Sequence, residues 1–187
     1  PRAMSDSVAS LQVHQSAINN MLESLDLEGR EFTVPELYLW MGRKLGRKLQ
    51  PPQDVPDDVI VQFADRDALR ILARDGQVEL SIGIAKLSHG RKHWRDFTVK
   101  TVYEPDPTTL EGKFVRTGGI FLEGKSLQGR VEFVLRSIFS NALSTDRPWQ
   151  IVPAKFAGDK RLADLEITQF VVEDGWIGLA YDPRRAP

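Results

Sequence analysis

Apolar residues along this chain recur first at helical spacing, then at spacing two, then at helical spacing once more. Over residues 7–27, Leu11, Ile18, Leu22 and Leu25 keep a helical period with Ala17 and Met21 beside them, which predicts a first helix. Asp26 to Arg30 breaks it, with Gly29 where a C-terminal cap belongs. Thr33-Val34-Pro35-Glu36 then has the form of a capping box with proline in the first turn. It opens a second helix with Leu37, Trp40, Met41 and Leu45 on one side, ended by Pro51 and Pro52. Residues 7–50 therefore read as a helical pair, and Gln50 to Pro56 is the one linker candidate.

From Asp57 the period falls to two. Val59, Val61 and Phe63 alternate with polar residues, as do Leu69, Ile71 and Ala73. Asp75-Gly76 is a strong two-residue hairpin signal. After it, Val78, Leu80, Ile82 and Ile84 alternate strictly, the mark of a strand buried on one face. Phe97 to Tyr103, Leu110 to Phe114 and Ile120 to Leu122 continue the meander. One late helix is predicted at 127–144, with Leu127, Val131, Val134, Leu135, Ile138 and Ala142 on one apolar face and Phe133 among polar neighbours on another side. A closing hairpin turns at Glu173-Asp174-Gly175 between Leu165–Val172 and Trp176–Tyr181.

Strands joined by turns this short must be antiparallel. The predicted fold is therefore α+β: an N-terminal helical pair, then a twisted antiparallel meander packed on one long amphipathic helix. Residues 1–6 read as a tag or disordered lead-in, residues 7–50 as the helical pair, and 57–183 as sheet plus helix, all within one compact domain.

Composition narrows the function classes. The 187 residues are 41% hydrophobic and 27% charged with a formal net charge of -1, so no global field draws the chain to nucleic acid or acidic membranes, and any electrostatic partner must be recognised by a local patch. The absence of cysteine excludes disulfides, thiolate metal sites and cysteine nucleophiles. No apolar run approaches a membrane span. These features predict a soluble protein, extracytoplasmic if a targeting segment has been removed, with the compartment otherwise unspecified.

One catalytic signature is matched: Gly119-Ile120-Phe121-Leu122-Glu123-Gly124-Lys125-Ser126 satisfies G-x-x-x-x-G-K-[ST], the phosphate-cradling loop. Its variable positions are three large apolar residues and a glutamate that would repel phosphate. The motif also needs a parallel sheet, and only 61 residues follow Ser126. The run reads as a strand, a turn at Gly124, and Ser126 capping a helix.

No metal site and no cofactor are expected. His89 and His93 flank the basic turn Gly90-Arg91-Lys92, where cations oppose metal binding. The acidic pairs Asp57/Asp58, Asp65/Asp67 and Glu173/Asp174 all fall at turns, where aspartate serves the backbone. No G-x-S-x-G elbow is present.

Two basic clusters carry the remaining chemistry. Gly42-Arg43-Lys44-Leu45 is repeated at once as Gly46-Arg47-Lys48-Leu49, at the end of the second helix, where cations also complement the helix dipole. Arg91, Lys92 and Trp94 combine charge with an indole. Phe133 and Trp176 mark a candidate second apolar surface.

The leading expectation is a non-catalytic binding module for an apolar or lipid-like molecule, or for a protein surface, with the basic clusters meeting headgroups at its rim. A nucleotide-binding enzyme using Gly124, Lys125 and Ser126 is the alternative. A nucleic-acid binder using Arg43, Lys44, Arg47, Lys48 and the Trp94 loop is the third reading.

Overall fold

Alternation dominates the folded chain. In a computed structural model, strands take 49% of the described residues and helices 21%. The residues described are 7–46, 48–108, 110–125, 127–144, 148–150, 152 and 164–184.

Among the described residues, ten strands and three short helices follow in order: β1 Ala9–His14, α1 Gln15–Glu23, β2 Glu31–Thr33, α2 Val34–Lys44, β3 Ile60–Phe63, β4 Leu69–Arg74, β5 Gln77–His89, β6 Lys92–Asp106, β7 Lys113–Gly124, α3 Arg130–Ala142, β8 Trp149–Gln150, β9 Leu165–Glu173 and β10 Trp176–Pro183.

All pairing among the described residues is antiparallel. The larger sheet runs β2-β3-β5-β6-β7-β8 with β4 also on β5, and the smaller runs β1-β10-β9. The fold is therefore not the expected α+β sheet laid on one long helix; it is a mostly-β chain whose larger sheet curls into a half-barrel. The reason lies in strand length. β5, β6 and β7 run 13, 15 and 12 residues, and twist accumulated over such lengths bends a sheet round on itself. Bulges between Gln62 and Phe63 and between Lys100 and Val102 add to the bend. A curled sheet buries much of its own inner face, so α3 needs only 13 residues, beginning at Arg130 rather than 127 and ending at Ala142.

The predicted helical pair is also corrected. Its first member is a strand followed by a nine-residue helix, because residues 9–14 pair with β10 from Ala9↔Tyr181 to His14↔Trp176. Only α2 keeps the expected form, with both halves of the capping box between Thr33 and Glu36 made. The Asp75-Gly76 and Asp174-Gly175 turns have positive φ at both residues, the mirror-image turn that suits strand twist. They interlock, Gly76 N donating to the Val172 carbonyl and Gly175 N to that of Ala73, each at 2.9 Å. That exchange ties the two sheets together.

Strand β5 has two neighbours on one edge: β4 along Gln77–Ile82 and β3 along Ile84–Ser88. At the joint, Gly83 accepts from Ala64 N (2.9 Å) and donates to the Ala68 carbonyl (3.1 Å). A Cβ there would stand 2.9 Å from that of Ala64, so the loop closes only over glycine.

The outer edge of β4 is covered by α1 side chains. Asn19 Nδ2 donates to the Ile71 carbonyl (3.1 Å) while its Oδ1 accepts from Ile71 N (2.8 Å), and Gln15 Oε1 accepts from Ala73 N at 2.8 Å. The helix thereby supplies the partners that a further strand would have given.

The core is one continuous cluster that joins Val78, Leu80, Ile82, Ile84, Val99 and Ile120 of the larger sheet with Val131, Leu135, Ile138 and Phe139 of α3. The notch bounded by Val59, Leu87, Trp94, Val131 and Val134 has about 10 Å³, room for about one water.

Candidate functional site

The strongest concentration of unsatisfied surface chemistry lies at the C-terminal end of α2. Val34, Leu37, Tyr38 and Gly42 form its buried face, spaced to meet the core once per turn. Tyr38 bolts the helix to α3: its hydroxyl donates to the Ile138 carbonyl at 2.6 Å, and burial pushes the phenol well above its usual range. Gly46, with φ +63°, ends the helix. The chain then returns past α3, held where Asn141 Nδ2 donates to the Gln50 carbonyl and Ser137 Oγ to Asp54 Oδ2, both at 2.8 Å.

Between the helix end and this return lies an open groove of about 420 Å³, lined by Tyr38, Leu39, Gly42, Arg43, Lys48 and Leu49 among others. A second depression of about 610 Å³ continues from Lys48 over Pro51 and Pro52 to Asn141 and Ser144.

On the rim, Leu39 and Leu45 are 62% and 48% exposed. Arg43, Lys44 and Lys48 are exposed beside them, and among the described residues none of the three makes an ion pair. Lys44 Nζ stands 6.0 Å over the Trp40 ring. Arg47 lies outside the described residues.

The other sequence candidates are dispersed over different elements. Arg91 and Lys92 are exposed at the β5–β6 turn, while the partly buried Trp94 indole lines the notch beneath α3. In the same turn region His93 Nδ1 meets Ser88 Oγ at 3.1 Å, and His89 Nε2 lies 3.4 Å from Asp58 Oδ1. Phe133 projects from α3, 52% exposed. Trp176 opens β10, its ring edge-on to His14 at 4.9 Å. Among the described residues no group of three or more His, Asp or Glu could hold a metal ion.

The Gly119–Gly124 run forms the second half of β7, antiparallel to β6. Glu123 Oε1 pairs with Lys100 at 2.8 Å, and Ile120 is buried in the core. Gly124 is required by close approach: a Cβ there would lie 2.7 Å from the Phe97 ring and 2.8 Å from the Asp96 carbonyl. The helix that follows starts with Gly129 as N-cap and no side-chain capping bond. Ser126, expected to cap it, lies outside the described residues.

The helix period sets Leu45 on one side with Leu37, Trp40 and Met41 and does not single out Leu39. The available signal was Leu39 two positions past buried Leu37, hence on the far side of the helix and four residues before Arg43. Compared with known proteins, the sequence matches no family model and no curated protein. No described helix is long and apolar enough to cross a membrane.

Proposed function

We propose that the chain is a non-catalytic binding module that docks the C-terminal end of α2 on an anionic, lipid-like surface. The observation carrying this reading is the juxtaposition of exposed Leu39 and Leu45 with exposed Arg43, Lys44 and Lys48, which make no ion pair among the described residues. Leucines at the headgroup boundary gain apolar burial, while neighbouring cations meet phosphates. Trp40 suits the same boundary, since an indole has an apolar body and a polar edge. Tyr38 and the capping box hold the platform rigid, so little order need be gained on docking.

Flotation with vesicles tests this. Wild-type protein should float with phosphatidylglycerol-containing vesicles, less so as salt rises, and far less with pure phosphatidylcholine. Each basic residue near such a surface contributes about 1 kcal/mol, so reversing Arg43, Lys44 and Lys48 to glutamate should weaken partition by about a hundredfold or more. Leu39→Glu should abolish it with charge otherwise intact. Equal partition to both vesicle types, or none to either, refutes the proposal.

A further inference from the structure

A second site is marked on the concave face of the half-barrel by polar groups that the fold buries and leaves unanswered. Arg116 stands on β7 directly opposite Tyr103 of β6, and Val102 pairs with Thr117 beside them. Tyr103 is buried on the inner face, and cross-strand partners share a face, so Arg116 is aimed inward as well. Thr101, two residues before Tyr103 and only 1% exposed, looks the same way from within the bulge between Lys100 and Val102. Among the described residues no acceptor meets Arg116 Nε or Nη1, and none meets the Thr101 hydroxyl, although all three atoms are shielded from water.

An aromatic wall adjoins them. Trp149 of β8 pairs with Phe114 and stacks on Tyr103 with ring centres 4.5 Å apart, and Phe114 meets Phe170 at 5.1 Å. The site lies nine residues along β6 from Trp94, about 30 Å from the notch under α3.

Chemistry makes this arrangement unfinished. A guanidinium does not give up its proton within a protein, so Arg116 cannot escape its burial by neutralising. Guanidinium donors shut away from water with no acceptor cost free energy that an incoming acceptor would recover. Arg116 as a whole is only partly buried, so the site is reachable from the surface. We infer that Arg116 and Thr101 form a binding site for the oxyanion of a small amphipathic molecule, a carboxylate or phosphate held by their N–H and O–H donors with its apolar body along the partly exposed Trp149.

Calorimetric titration of the full chain with octanoate, octanol and inorganic phosphate tests the inference. Octanoate should bind, and octanol at least about tenfold more weakly, because it lacks the charge that a buried guanidinium rewards. Phosphate binding that competes with octanoate would identify the oxyanion alone as the determinant; octanoate binding without it would assign the site to carboxylates carrying an apolar chain. Arg116→Met should lose the bound anion by about tenfold or more. Without ligand, in low-salt buffer, its melting midpoint should equal or exceed that of the wild type, since methionine fills the space without donors left unanswered. Thr101→Val should weaken binding severalfold while the fold is kept. Reversing Arg43, Lys44 and Lys48 should leave the octanoate titration unchanged, which separates this site from the α2 surface. Absence of octanoate and phosphate binding overturns the inference. So does binding that survives Arg116→Met, or an Arg116→Met protein that melts below the wild type or does not fold.

Discussion

Replacing Asn19 with alanine tests how the β4 edge is closed. The side chain both donates to the Ile71 carbonyl at 3.1 Å and accepts from Ile71 N at 2.8 Å, so one truncation removes two bonds to a single strand residue. Each is worth about 0.5–1.5 kcal/mol net, and stranding the Ile71 groups behind α1 adds to the loss. Against this, alanine gains about 0.5–0.7 kcal/mol of helix propensity over asparagine. The balance is a destabilisation of about 1–2.5 kcal/mol. With a urea slope of about 2 kcal/mol/M, the unfolding midpoint should fall by about 0.5–1.2 M. Asn19→Asp offers a second reading of the same geometry. It keeps the acceptor for Ile71 N but sets an anionic oxygen against the Ile71 carbonyl, so it should be at least as damaging at neutral pH. Its folded-state pKa must then lie above the unfolded value, so stability should return as pH falls and the protonated acid regains a donor. Equilibrium unfolding followed by far-ultraviolet circular dichroism reads both variants. An alanine midpoint within about 0.2 M of wild type would refute the view that this amide closes the edge.

Two further expectations rest on the core. Gly83→Ala would press a methyl to 2.9 Å from Ala64 Cβ and 3.3 Å from the Asp67 carbonyl, forcing the 64–68 loop outward; overpacking of this kind should lower stability by about 1–3 kcal/mol in a urea melt, and an unchanged midpoint would show that the loop gives way freely. Burial raises the phenol pKa of Tyr38 and of Tyr181, so in a spectrophotometric titration both should ionise later than a free tyrosine; because the folded pKa exceeds the unfolded one, their contribution is complete below about pH 10 and is lost as pH rises beyond it, and three phenols titrating together near pH 10 in folded protein would contradict the structure.

What the chain reveals before folding divides along the range of the contacts involved. Local chemistry is legible: the Asp75-Gly76 turn, the alternation from Val78 to Ile84 and the Thr33–Glu36 box all appear where the residues place them. Strand β1 is not, because Leu11 sits seven residues before Ile18, two helical turns, and so extends the period of α1 backwards. What decides its conformation is β10, about 170 residues further on. The curl of the sheet is equally hidden, since it arises from strand lengths and bulges that exist only once the register is set. At the α2 surface the charges are plain in the sequence, but the exposure of Leu45 depends on how the helix end meets the return past α3. Arg116 gave a fainter signal, a cation sharing the parity of buried Phe114 in a strand.

The pairing of β1 with β10 has a consequence for how the protein is made. Strand β10 is the middle strand of the smaller sheet, flanked by β1 and β9. On a ribosome adding about 5–20 residues per second, residues 9–14 therefore wait for about 10–35 seconds before their partner exists. In that interval α1 can already have gripped β4, whose hairpin with β5 is entirely local. The helix thus acts as a tether, keeping the amino-terminal strand beside its future place until the last strand threads between it and β9.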